Sequence, residues 1–273
     1  MVRANGVDLC VDTFGDAADP AILLVHGTAN CMLLWPEELC ARLAAGRRFV
    51  VRYDLRDAGR SVSSPVGAPR YGLRDLVADA AALIDVLGAG RAHVVGMSLG
   101  AAIGQLLALD HRDRVAALTL ASSTPGLLGQ EAPDLPGAAP ELFADEPAPP
   151  DWTDREAVVE YLVEAERPYS PRFDEARMRA TMDRVVDHTR DLEASVTNPF
   201  AIEDGDGWRA RLGEISAPTL VVHGTDDPMF PFAHAVALAD EIPGAELLPL
   251  DGVGHEYFPP DTWDVVVPAI LRQ

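Results

Sequence analysis

The 273 residues carry 22 basic side chains against 43 acidic ones, a formal net charge of −21, which works against binding to nucleic acid or anionic membrane surfaces. All 22 basic residues are arginine. Without lysine there is no amine nucleophile, which excludes Schiff-base chemistry and a lysine-anchored pyridoxal phosphate. Hydrophobic residues make up 48% of the chain, ample for a large buried core.

Taken in chain order, a pair of early strands is expected over 7–13, then a strand at 21–25, a helix near 36–45, a strand at 49–53 and a helix over 73–87. A strand beginning at 92, a helix over 101–109 and a strand at 115–121 follow. Short continuous apolar runs alternating with amphipathic segments indicate a mostly parallel sheet covered on both faces. The rhythm breaks at 125–151, which is rich in proline, glycine and acid and reads as a functional loop or lid. Helical patterns at 155–167 and 173–189 come next. The alternation then resumes with a strand at 218–223, a helix at 232–241, a strand at 245–250 and a terminal helix from 262. The expected organisation is therefore a core of 1–124 and 214–273 interrupted by a cap insertion at 125–213. The three cysteines, Cys10, Cys31 and Cys40, fit neither a disulfide framework nor a zinc spacing, so a reducing, cytoplasmic compartment is expected. No apolar signal region and no stretch of membrane-spanning length is visible.

The most informative segment is Gly96-Met97-Ser98-Leu99-Gly100, set between the apolar run ending at Val95 and the helical run from Ala101. Strand, sharp turn and helix lift a serine clear of the sheet and aim helix N-terminal amides at the same point. A serine nucleophile needs a base, and the base an orienting acid. Both follow in the order Ser, Asp, His. The acid falls in Gly224-Thr225-Asp226-Asp227, just beyond a strand. Asp227 has the better spacing, and Asp226 competes with it. The base is His255 in Gly254-His255, beyond the last strand. The oxyanion donors expected are the Leu99 amide, next to the nucleophile, and the Thr28 amide in His26-Gly27-Thr28. His26 is expected to brace that loop. Cys31 has no histidine placed to activate it and reads as structural.

These residues resemble an α/β-hydrolase: His26-Gly27, Asp54-Leu55-Arg56-Asp57-Ala58-Gly59-Arg60-Ser61, the Ser98 turn, the Gly224–Asp227 turn and Gly254-His255 stand in family order. The resemblance implies a sheet of about eight strands with a helical cap. Asp57, where the family usually has glycine, is a departure associated with the aclacinomycin methylesterase group. Likeness to that group extends through the segment Gly15–Pro20, the run Trp35-Pro36-Glu37-Glu38 and Arg91–Gly96. Such enzymes remove a methyl ester from an aromatic polyketide glycoside without a cofactor.

The reading that follows is a cofactor-independent hydrolase of a small-molecule carboxylic ester. Lactonase, C–C bond hydrolase, perhydrolase and acyltransferase chemistry stay open on the same triad, as does a ligand receptor or cyclisation scaffold that kept only the fold. Serine at the turn argues against dehalogenase and epoxide hydrolase chemistry, which uses an aspartate there. Met32 and Trp35 beside the oxyanion loop, and Trp152 in the insertion, are candidates to line a bulky apolar pocket. Tyr161, Tyr169, Phe173 and Trp208 are further ones, or ordinary core residues.

Overall fold

In the computed structural model, residues 1–126, 133–144, 148–203 and 205–273 are described. Asn5 and Gly6 both take positive φ, 46° and 76°, the type I′ turn that two-residue hairpins prefer. They join β1 (Val2–Ala4) to β2 (Val7–Leu9) in a separate two-stranded sheet. The chain then enters β3 (Val11–Phe14), the antiparallel edge of the main sheet. The early strands expected over 7–13 are therefore divided between two sheets. The main sheet has seven strands where about eight were expected, because the hairpin pairs only with itself.

The remaining strands are β4 (Ala21–Val25), β5 (Phe49–Tyr53), β6 (Ala92–Met97), β7 (Val115–Ala121), β8 (Thr219–Gly224) and β9 (Glu246–Leu250), all parallel, in the order β3-β5-β4-β6-β7-β8-β9. Strand β4 is buried throughout and splits its side chains between two cores. Ile22 and Leu24 pack with residues of α1 (Glu37–Ala45) and α8 (Trp263–Arg272). Leu23 and Val25 pack with α2 (Leu73–Val86) and α3 (Leu99–Asp110). That split is the two-residue period of a strand covered on both faces. Nine of the twelve residues of α3 are buried, as expected of a helix apolar all round.

Between β7 and β8 lie α4 (Arg155–Glu166), α5 (Glu175–His188) and α6 (Leu192–Thr197). The expected loop at 125–151 falls partly outside the described residues and otherwise holds only turns and the 3-10 turn Pro140–Phe143. Each of the three helices starts at an aspartate, Asp154, Asp174 or Asp191, whose side chain accepts first-turn amides, so part of the acid in this stretch is helix capping. Helix α6, which the apolar pattern did not predict, is only six residues long. Its one local signal is the Asp191 cap. After β8 comes α7 (Ala233–Glu241).

Candidate active site

Backbone geometry raises Ser98. It stands between β6 and α3 with φ 53° and ψ −113°, a strained conformation for a residue with a side chain. Close packing demands the flanking glycines: a Cβ on Gly96 would lie 2.1 Å from the Gly100 carbonyl oxygen, and one on Gly100 2.2 Å from that of Val25. Leu99 opens the helix, and its amide has no acceptor among the described residues, which is the usual state of a first-turn N–H.

Asp227 and His255 sit beyond the C-terminal ends of β8 and β9. His255 Nδ1 is 2.9 Å from Asp227 Oδ2, while Asp227 Oδ1 accepts the Met229 and Phe230 amides at 2.9 and 2.8 Å. A carboxylate accepts, so Nδ1 carries the proton and Nε2 keeps its lone pair. Burial alone would push the Asp227 carboxyl up. Hydrogen bonds from His223 and His255 win, and hold it well below the usual carboxylate range. His223, fully buried, lies 3.3 Å from the same oxygen and 2.7 Å from the Phe230 carbonyl. Asp226, one residue earlier, is exposed.

The loop after β4 is held from both sides. His26 Nδ1 lies 2.8 Å from the Gly27 carbonyl, and its Nε2 accepts the Leu55 amide at 3.0 Å, so this buried ring braces the loop as expected. The Gly27 amide donates to the Tyr257 hydroxyl at 2.8 Å. The Thr28 amide has no acceptor among the described residues. Asp54 accepts the Met32 and Arg60 amides, each at 3.0 Å, and meets His188 of α5 at 2.7 Å. Asp57 takes positive φ, 62°. Its carboxylate accepts from the Ser64 amide and from Asn198 Nδ2, so the residue that departs from the family pattern ties the core to the segment after α6.

Thr28, Ser98 and His255 share one cavity of about 500 Å³ with Tyr161, Tyr169 and Glu166 from the helical segment between β7 and β8, a volume in the range of small-molecule sites. The segment after α4 is docked on the histidine loop: the His255 amide donates to the Tyr169 carbonyl at 2.8 Å, and Ser170 Oγ to Glu256 at 2.9 Å. Gly254 permits this approach, since a Cβ there would stand 2.0 Å from the Tyr169 carbonyl oxygen.

Several expected pocket residues lie elsewhere. The 3-10 turn Met32–Leu34 swings Trp35 beneath the sheet, where it is 1% exposed and packs edge-on against Tyr257 at 4.9 Å. Met32 is buried, with its amide on Asp54. Trp152 stacks edge-on behind Tyr161 at 5.7 Å. Phe173 sits under the Arg167 guanidinium at 4.7 Å, and Trp208 is buried with its indole N–H on Gln105. None of these five lines the cavity. Cys31 does, but burial pushes its thiol far up, which leaves it unreactive. Glu166 and Tyr257 were not singled out from the sequence. Among the described residues, the Glu166 carboxyl has only Asn30 within hydrogen-bond distance, at 3.5 Å, and burial pushes it up.

The model of the alpha/beta hydrolase fold matches residues 20–261. The chain belongs to the α/β-hydrolase fold family. The hydrolase is 32% identical to rhodomycin D methylesterase DauP of Streptomyces sp. (strain C5), over 93% of this chain and 91% of that protein. It is 31% identical, at the same coverages, to rhodomycin D methylesterase DnrP of Streptomyces peucetius. Among solved structures it is similar to the enol-lactonase of Burkholderia xenovorans LB400, with a TM-score of 0.75 and 25% identity, covering 99% of this chain and 98% of that one. Among the described residues, no helix is long and apolar enough to cross a membrane.

Proposed function

We propose that the chain is a cofactor-independent serine hydrolase of carboxylic esters, with residues 125–213 acting as the cap over its site. The observation that carries this reading is the Asp227–His255 hydrogen bond, 2.9 Å, beside a serine on a strained turn in the same cavity. Asp227 fixes the tautomer of His255 and stabilises the imidazolium as it forms. His255 Nε2 takes the Ser98 hydroxyl proton as the oxygen attacks the ester carbonyl, then returns it to the leaving alcohol. The Leu99 and Thr28 amides receive the developing oxyanion. Water, activated by the same histidine, then releases the acid from Ser98.

Likeness to two methylesterases over most of the chain supports a methyl ester on a bulky, partly aromatic polyketide-type molecule. The cavity volume and the rings of Tyr161 and Tyr169 support the same class. A lactone, the substrate type of the similar enol-lactonase, is a cyclic ester that the same constellation would open. The unpaired state of Cys10, Cys31 and Cys40 supports a reducing compartment.

A fluorophosphonate probe tests the nucleophile. The expected outcome is one probe per chain, on a peptide containing Ser98, with esterase activity lost in proportion. Labelling that persists undiminished in Ser98→Ala overturns the reading.

A further inference from the structure

We propose that Tyr257 supplies a third donor to the oxyanion, through its phenolic hydroxyl, in addition to the two backbone amides. The assignment rests on the serine-hydrolase reading and deepens it.

The hydroxyl is positioned from two directions. Tyr257 follows His255 by two residues, and its ring is seated edge-on against buried Trp35 at 4.9 Å. At the other end its oxygen receives the Gly27 amide at 2.8 Å, one residue before the proposed Thr28 donor. The point where a Cβ on Gly27 would stand lies 3.4 Å from Ser98 Cβ and 3.6 Å from the Tyr257 oxygen, so those atoms are within about 7 Å of each other. Tyr257 lines the cavity with Ser98, Thr28 and His255.

A phenol oxygen that accepts one N–H still has its own proton to give. Among the described residues that proton has no acceptor, although Tyr257 is partly buried and tyrosine hydroxyls withdrawn from water normally find one. A substrate carbonyl oxygen held between Ser98 and the Thr28 amide fills that role. Burial keeps the phenol protonated, so it donates a hydrogen bond and no proton is transferred. No bond at Tyr257 breaks.

Accepting from Gly27 also matters in its own right, because it commits that amide and leaves Thr28 as the free donor of the loop. Removal of the hydroxyl therefore disturbs two things, and the test must separate them. Tyr257→Phe keeps the ring packing on Trp35. A tyrosine fluorinated beside its hydroxyl keeps the ring as well, but is a better donor and a poorer acceptor.

The measurements are kcat/KM and KM for a neutral p-nitrophenyl ester, and the affinity of a trifluoromethyl ketone, which places an oxyanion on the serine. They are made on the full chain, at a pH where the fluorinated phenol stays protonated. Tyr257→Phe is expected to lower kcat/KM by about 10²-fold, to weaken the ketone by a similar factor, and to change KM by less than about threefold. Fluorination is expected to tighten the ketone relative to the native chain. The assignment is overturned if Tyr257→Phe stays within about threefold of native in kcat/KM and ketone affinity. It is equally overturned if fluorination leaves ketone affinity unchanged or weakens it, the response of a hydroxyl that only receives Gly27. Failure of the underlying reading shows separately, as ester turnover that survives Ser98→Ala.

Discussion

Two adjacent aspartates compete for one role, and their surroundings separate them. Asp227 is buried with four donors around its carboxylate, whereas Asp226 is exposed and, among the described residues, its carboxylate meets only the Thr225 hydroxyl, at 3.3 Å. Asp227→Asn should therefore cut kcat/KM on a neutral ester by about 10³- to 10⁴-fold, because an amide no longer selects the productive tautomer of His255. Asp226→Asn should stay within about threefold of native. Steady-state kinetics of the two variants decide this. Spacing from Gly224 was enough to prefer Asp227 in the sequence. The second histidine at its carboxylate was not legible, because His223 looks like any strand-end residue until the turn folds back. Trp35 shows the opposite limit. Its nearness to the oxyanion loop in sequence suggested a pocket wall, but a single 3-10 turn decides which side of the sheet it enters.

At the level of the elements, the turn between β6 and α3 was the most legible part of the chain, since its glycines are fixed by contact with backbone. Gly100→Ala should destabilise the fold by about 3 kcal/mol, read as a lower urea midpoint, because the Val25 carbonyl that it strikes is held at the end of β4, where Val25 pairs with Gly96 of β6. Strand β6 also carries a pH dependence. His93 is buried against Thr119 of β7 at 2.8 Å. Burial first, and the Arg48 charge second, push its imidazole down to about 4 from an ordinary 6.5. The folded state thus resists a proton that the unfolded chain accepts. Stability is complete above pH 6.5 and falls as pH drops from there toward 4, by up to ~3 kcal/mol from this residue. His26 and His234, also shifted down by burial, add in the same direction. Urea unfolding between pH 7 and 4.5 should show this slope, and His93→Gln should make it shallower. The strand pair expected over 7–13 missed the hairpin that starts at Val2, although its Asn5-Gly6 turn is a local signal. Helix α6 was not legible, because six residues give too few turns for a period to show.

For the whole molecule, strand–helix alternation made the parallel sheet legible, while the way the helices between β7 and β8 meet it came only with the fold. Contacts from Tyr169 to His255, from His188 to Asp54 and from Asn198 to Asp57 join residues far apart in sequence, and no local pattern announces them. The excess of acid acts at this scale. A net charge of −21 opposes anionic substrates and favours neutral ones. Of two esters equal in size, the carboxylated one should show the lower kcat/KM at low ionic strength. Its value should rise with added salt as screening sets in, while that of the neutral ester stays flat. Equal salt responses would remove charge from the account of selectivity.

The proposed chemistry centres on one oxygen atom, the Ser98 Oγ. Turnover of a neutral p-nitrophenyl ester by Ser98→Ala, in a variant shown by circular dichroism to keep its fold, tests that centre most directly. A loss on the order of 10⁴-fold or more is predicted. Turnover within about tenfold of the native chain would contradict Ser98 as the nucleophile.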